Sequence, residues 1–126
     1  MKESVQFYRC SICGNIVGLI KNGGGQMVCC GKPMEHLVPN TTDASVEKHV
    51  PVAERKEGKL YVKVGSAEHP MTEAHYIEWI LVTDATGTQR IALSPGDKPE
   101  AVFCDKGHAE VYAYCNLHGL WKTTIE

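Results

Sequence analysis

The feature that most limits how this chain can fold is a group of four cysteines within its first 30 residues. Cys10 and Cys13 form a Cys-x-x-Cys pair in "YRCSICGN", and Cys29 and Cys30 stand side by side in "MVCCGKPM". Neighbouring cysteines are poorly placed to form a disulfide with each other, because that bond needs separated Cα atoms and a dihedral angle of about 90°. A unit as short as residues 1–36 buries little apolar surface, and a metal or a partner usually supplies the missing stability. The four thiols therefore predict a small metal-stapled β unit over residues 1–36.

Four sulfur ligands select zinc or a single iron ion, and ligand type alone leaves that choice open. Adjacent cysteines must splay to reach one ion, so we expect sulfur–metal–sulfur angles that depart from a regular tetrahedron. A redox dithiol is the alternative interpretation of Cys10 and Cys13. Such a pair is typical of a βαβ context, however, and no helical pattern follows Cys13.

The composition limits the classes of partner. The 126 residues carry a formal net charge of −2, and no block of Lys or Arg indicates nucleic acid. No apolar run approaches the ~18–20 residues needed to cross a bilayer, and the N-terminus lacks the apolar centre of a signal peptide. We therefore predict a cytoplasmic protein that binds neither membrane nor nucleic acid, in which thiols stay reduced and free to bind metal.

The rest of the chain is predicted to be all-β. A Pro-, Thr- and Asp-rich stretch indicates a linker over residues 37–46, and a β-sandwich domain is expected over 47–126. Leu60, Val62 and Val64 alternate with polar residues at period two, and no helical period is convincing. Short strand-like runs at close spacing favour a sandwich. These runs are "KLYVKVGS", "HYIEWILVTDA", "TQRIALSP", "EAVFCDK", "AEVYAYCN" and "LWKTTIE".

A second group of potential ligands lies in the loops of this domain. Cys115 and His118 form a Cys-x-x-His pair in "YCNLHG", and His49, His69 and His75 lie in other loops. A single loop histidine is ordinarily a solvated residue without function, but three beside a Cys-x-x-His pair favour a second metal site. The remaining candidates, His36, His108 and Cys104, are interpreted as structural or surface residues.

Taken together, these motifs resemble the two-iron desulfoferrodoxins, a group of superoxide reductases. The resemblance follows "YRCSICGNIV", "MVCCGKPM", "EKHVPV", "HPMTEAHYIEW", "LSPGDKPEAVF" and "YCNLHGLWK" in order along the chain. The first 36 residues are similar to desulforedoxin and the remainder to neelaredoxin, the one-iron member of the group. The resemblance implies an immunoglobulin-like β-sandwich for the second domain, a homodimer and two iron ions per chain. One departure is Leu120, where many relatives have a histidine, and it removes no ligand.

The resemblance also implies a role for each candidate residue. An FeS₄ centre would be held by Cys10, Cys13, Cys29 and Cys30. The catalytic iron would be held by His49, His69, His75 and His118 in one plane, with Cys115 as the axial thiolate. His118 would bind through Nδ1 and the other histidines through Nε2. Glu47 would fill the sixth position in the oxidised resting state, and Lys48 would attract superoxide.

The implied reaction is the one-electron reduction of superoxide to hydrogen peroxide without production of dioxygen, fed by an electron donor such as rubredoxin. The FeS₄ centre would be a dispensable electron relay. Three other interpretations remain open at the level of sequence. The chain could be a rubredoxin-like electron carrier whose second domain only assembles a dimer, a zinc-stabilised interaction module, or an iron protein that dismutates superoxide.

Overall fold

The structure is a computed structural model and describes residues 5–126. The chain divides into two compact units, Met1–Val38 and Pro39–Glu126. The finer division into residues 1–36, a linker over 37–46 and a domain over 47–126 stays a prediction. Among the described residues, no helix has the length and apolar character required to cross a membrane.

The first unit consists of very short strands. They are β1 (Gln6–Arg9), β2 (Ile16–Leu19), β3 (Val28–Cys29), β4 (Lys32–Pro33) and β5 (Glu35–Leu37). Strands β2, β1 and β5 form an antiparallel sheet in that order, and β3 pairs with β4. Only Phe7, Cys10 and Leu37 are buried apolar residues in the described part of this unit. So small a core agrees with the expectation that a metal stabilises the unit.

The second unit is a sandwich of two antiparallel sheets. Its elements are α1 (Val46–His49), β6 (Pro51–Lys56), β7 (Lys59–Val64), β8 (Ile77–Asp84), β9 (Gly87–Ala92), β10 (Glu100–Cys104), β11 (Ala109–Cys115) and β12 (Gly119–Ile125). One sheet has the order β10-β7-β6 and the other β12-β11-β8-β9. Side chains from both sheets form one core, including Leu60 and Phe103 from the first and Ile80 and Val111 from the second. The all-β prediction is confirmed.

The strand patterns explain which residues enter this core. In β7, Leu60, Val62 and Val64 are buried and the intervening residues are exposed, as their period-two alternation predicts. β8 is buried along nearly its whole length, so both of its faces are covered. The strand β6 was not among the predicted strand-like runs, and α1 lies where a loop was expected.

The register of the strands gathers several loops at one end of the sandwich. Pro51 at the start of β6 pairs with Val64 at the end of β7. In the other sheet, Cys115 at the end of β11 pairs with Ile77 at the start of β8 and with Gly119 at the start of β12. All the predicted ligands of the second site lie at this end: Cys115 ends β11, His49 ends α1, and His69, His75 and His118 lie in the connecting segments.

Candidate metal centres

Four sulfur atoms converge in the first unit. The donor atoms of Cys10, Cys13, Cys29 and Cys30 all lie within 4.8 Å of one another. Sγ of Cys13 lies 3.6 Å from Sγ of Cys29, which in turn lies 3.9 Å from Sγ of Cys30, and all four are free thiols. Sulfurs bound to one ion at about 2.3 Å in a tetrahedron stand just under 4 Å apart. The spacing therefore fits four ligands of one metal.

Local backbone geometry produces this convergence. The Cys-x-x-Cys segment turns between β1 and β2, where N–H of Cys13 donates to Sγ of Cys10 at 3.4 Å and N–H of Asn15 donates to Sγ of Cys13 at 3.5 Å. Cys30 has a φ of +53°, in the left-handed region that few side chains adopt. Successive side chains of an extended strand point to opposite faces, so this departure lets both adjacent thiols reach one point. Two neighbouring cysteines can thus act as a pair of ligands.

The protonation of the cluster also fits a bound cation. Backbone N–H groups of Cys13 and Ile12 lower the pKa of Cys10 to about 6. Hydrogen bonding with the thiols of Cys13, Cys10 and Cys29 raises the pKa of Cys30 to about 12, and the pKa of Cys29 is raised for similar reasons. Thiols this close cannot all ionise without a positive charge between them. Metal binding here must therefore release protons.

The second site brings together side chains from α1, from the segment between β7 and β8, and from the end of β11. The donor atoms of His49, His69, His75 and Cys115 lie within 4.8 Å of one another. Nε2 of His49 lies 3.1 Å from Nε2 of His69 and 3.1 Å from Nδ1 of His118. Two nitrogens bound at right angles to one ion at about 2.1 Å lie about 3 Å apart. Neighbouring imidazole rings cross at steep angles of 80° to 84°, with centroids 4.6–5.0 Å apart.

Two backbone carbonyls determine which nitrogen faces this centre. Nδ1 of His49 lies 2.6 Å from the carbonyl oxygen of Ser45, and Nδ1 of His69 lies 2.6 Å from that of Pro70. A carbonyl only accepts, so each Nδ1 carries the proton and each Nε2 keeps its lone pair for a ligand bond. Nε2 of His75 is buried and has no hydrogen-bond partner among the described residues. A buried nitrogen without a partner is costly, and a metal ion would satisfy it.

Burial keeps the second site ready for a cation. Desolvation lowers the pKa of His69 to about 4 and also lowers the pKa values of His49 and His75, so these imidazoles are neutral near pH 7. Burial raises the pKa of Cys115, while the N–H groups of Leu117 and His118 oppose that rise. A coordinating cation would ionise the thiol. The site thus offers the neutral imidazoles of His49, His69 and His75, Nδ1 of His118 and one potential thiolate, and such imidazole and sulfur donors suit iron.

Two residues that sequence reasoning did not select support the ligands. Nε1–H of Trp121 donates to the carbonyl oxygen of His118 at 3.0 Å, and its ring lies 4.9 Å from that of His49. Asn116 accepts from N–H of Tyr76 at 2.9 Å and donates to the carbonyl of Ala74 at 3.0 Å. Asn116 therefore ties the Cys-x-x-His turn to the loop that carries His75. Its position inside that motif was the available signal.

The remaining candidates fall into two groups. Glu47 and Lys48 are exposed on α1, immediately before buried His49. Burial is the main cause of the lowered pKa values of His49 and His75, and neighbouring imidazoles add to it. The positive charge of Lys48 makes a smaller contribution in the same direction, so its field reaches the site. His36, His108 and Cys104 lie outside both ligand sets: His36 stacks on Tyr8, His108 contacts Glu126 and Cys104 is exposed.

Comparison with known proteins supplies independent information. The family described as Desulfoferrodoxin matches residues 41–124, and the one described as Desulfoferrodoxin, N-terminal domain, matches residues 2–37. A desulfoferrodoxin homolog of Archaeoglobus fulgidus is 52% identical, with 98% of this chain and 99% of the relative covered. A desulfoferrodoxin of Syntrophotalea carbinolica is also 52% identical, with 98% of each covered. The solved structure of the superoxide reductase from Treponema pallidum superposes with a TM-score of 0.78 at 32% identity, covering 96% of this chain and 99% of that one.

Proposed function

Since this chain belongs to the desulfoferrodoxin family, we propose that it is a superoxide reductase that reduces superoxide to hydrogen peroxide at the second site. The observation that carries the proposal is the convergence of four imidazole nitrogens and one buried thiol, with a lysine beside them. A rubredoxin-like carrier or a zinc-stabilised module would leave this second donor set without a purpose. Iron bound here supplies the single electron that the reaction requires.

We assign the ligands residue by residue on the donor atoms that converge. Iron at the second site would be held by Nε2 of His49, His69 and His75, by Nδ1 of His118 and by the thiolate of Cys115. A second iron would be held by the thiolates of Cys10, Cys13, Cys29 and Cys30. Both assignments rest on the spacing of the donors, and the second also rests on the tautomers of His49 and His69 that the Ser45 and Pro70 carbonyls impose.

The protein residues around the second site have separate tasks. An imidazole bound to a metal adds no charge of its own, so the histidines would leave the charge of the cation in place to attract an anion. Lys48 adds a local positive charge that steers superoxide inward and orders the water that delivers two protons. The carboxylate of Glu47 closes the site in the resting state.

We further propose an electron donor such as rubredoxin and a homodimer. Cys13 and Cys30 are exposed, so a metal at the first site could receive electrons from a docked protein.

In the second unit, exposed Val52, Tyr61 and Val102 line a groove of about 320 Å³ on the outer face of the β10-β7-β6 sheet. A second copy would cover this apolar surface. Sedimentation at micromolar concentration tests the dimer, and a monomer there would refute it.

The decisive experiment combines metal analysis with product counting. The wild-type protein should contain two irons and little zinc per chain when made in iron-replete cells. The reduced protein should yield one hydrogen peroxide for each superoxide and no dioxygen, whereas dismutation yields only half as much peroxide. Zinc in place of iron in native material would refute the proposal, as would dioxygen among the products.

A matched pair of cysteine variants locates the reaction. Cys115→Ser should lower the second-order rate constant with superoxide by at least about tenfold, because a ligand is lost. Cys104→Ser makes the same chemical change at an exposed residue outside both ligand sets and should leave the rate unchanged. Equal rates in the two variants would contradict the assignment of Cys115.

A further inference from the structure

The segment that follows β7 packs against the back of the turn that carries Glu47 and Lys48. Gly65 is buried there, and a Cβ atom at this position would lie 2.6 Å from the carbonyl oxygen of Glu47 and 2.9 Å from that of Val50. It would also lie 3.0 Å from the carbonyl carbon of Lys48. These are backbone atoms, which cannot rotate away as the end of a side chain can. Only glycine lets the two segments approach this closely.

Hydrogen bonds also join the segment after β7 to the turn that carries Glu47. The carbonyl oxygen of Glu47 accepts from N–H of Ala67 at 2.9 Å and from the hydroxyl of Ser66 at 3.2 Å. The segment itself is held by N–H of His69 donating to the carbonyl of Val64 at 3.0 Å. It therefore links the turn before His49 directly to His69, another member of the donor set.

This contact determines where two exposed side chains stand. The side chains of Glu47 and Lys48 form no hydrogen bond or ion pair with another described residue, so no side-chain partner fixes their position. The backbone of α1 therefore determines where these two side chains lie. That backbone rests on Gly65 and is bonded to Ser66 and Ala67.

We propose that Gly65 and Ser66 are positioning residues, which set the place of Glu47 and Lys48 at the entrance of the second metal site through the Glu47 carbonyl. The inference rests on the proposed function for its effect on rate. Its structural part is the packing of the α1 turn against Gly65 and Ser66, which can be measured whether or not the protein reduces superoxide.

The first experiment measures the contact between the two segments directly, by hydrogen exchange of the Ala67 amide, which donates to the Glu47 carbonyl. Gly65→Ala should raise the exchange rate of this amide by about tenfold or more, because its acceptor is displaced. Amides in the middle of β11, such as those of Val111 and Ala113, serve as an internal reference and should not change. Gly23→Ala is the matched control, since a Cβ there meets nothing within 4 Å. Unchanged protection of Ala67 in the Gly65 variant would overturn the proposal.

The second experiment asks whether the effect passes through Lys48. With iron content unchanged, Gly65→Ala should slow the reaction with superoxide by about tenfold at low ionic strength and by much less at high salt. In a Lys48→Ala background the same change should have little further effect, because the charge it would misplace is gone. A glycine that only stabilised the fold would give independent, multiplicative losses, and that result would overturn the proposal.

The serine variants keep the test decisive should Gly65→Ala fail to fold. Ser66→Ala should slow the low-salt reaction by about twofold to threefold, because one hydrogen bond of modest strength is lost. Ser66→Thr keeps a hydroxyl and should restore the rate. Ser94→Ala is the matched control, because the turn at Ser94 uses only its backbone groups. Equal rates for Ser66→Ala and Ser66→Thr would overturn the role of Ser66. If the wild-type protein does not react with superoxide, the proposed function fails, and the hydrogen-exchange measurement alone decides whether Gly65 positions the α1 turn.

Discussion

Each buried imidazole of the second site has its chemistry set by its immediate surroundings. Carbonyl groups of Ser45 and Pro70 hold the protons of His49 and His69 on the nitrogens that face away from the centre. Burial lowers the pKa values of His49, His69 and His75, so protonation is disfavoured in the folded state. These two effects leave lone pairs directed at one point at neutral pH.

The same burial makes the second unit sensitive to acid. In the unfolded chain these histidines have pKa values of about 6.5, whereas the pKa of His69 in the folded protein is about 4. The unfolded state therefore binds more protons as the pH falls, and the free energy of unfolding of metal-free protein should decrease from pH 7 to pH 5. Urea unfolding followed by tryptophan fluorescence measures this in the second unit alone, which contains both Trp79 and Trp121.

Two histidine variants provide the control for this pH dependence. His69→Gln removes a buried titrating group and should flatten the curve of stability against pH. His108→Gln makes the same change at an exposed residue and should reproduce the wild-type slope. A wild-type stability that is level between pH 7 and pH 5 would contradict the explanation.

Strands form the scaffold of the sandwich, and its predicted ligands lie at one end of it, in α1, at the end of β11 and in the connecting segments. The strand-like runs of the second unit could be predicted because β-branched and aromatic residues alternate there, as in β7. Strand β6 escaped prediction, because it begins with Pro51, half of its residues are charged and most are exposed, as in an edge strand. The single turn of α1 is too short for any helical period to be visible in the sequence.

The ligand types and their spacing were visible in the sequence, but their supports were not. Cys-x-x-Cys and Cys-x-x-His pairs mark donors by residue type alone. The carbonyl of Ser45 and the indole of Trp121 lie only four and three residues from the histidines they contact, but these contacts form only once the turns are folded. The contact of Gly65 with the backbone of Glu47 joins two separate segments of the chain. No local pattern encodes such contacts.

The four-cysteine cluster should hold the short elements of the first unit in place. Strands β3 and β4 have two residues each, so pairing alone stabilises them little, and their hairpin carries two of the four cysteines, Cys29 and Cys30. Cys30→Ser should lower the iron content by one per chain and increase hydrogen exchange over residues 6–37. The reaction of superoxide with the second site should proceed at the wild-type rate in a single turnover. A variant that keeps both irons would show that Cys30 is not a ligand.

At the scale of the whole molecule, the two units draw their stability from different sources. The described part of the first unit buries only Phe7, Cys10 and Leu37 among its apolar residues. The second unit has a continuous core of twelve buried residues contributed by both sheets. A core of that kind can support a fold without metal, whereas the first unit depends on its cross-linking ion.

Removal of metal should therefore reduce protection against hydrogen exchange in the first unit but not in the core of the second. After chelation under reducing conditions, we expect peptides from residues 6–37 to lose protection against hydrogen exchange. Peptides from β8 and β11 should keep it, because their side chains remain packed in the core. Mass spectrometry of exchanged, digested protein measures both units in one sample, and restored iron should reprotect the first. Simultaneous loss of protection in β8, β11 and the first unit would show that the core of the sandwich also depends on its metal.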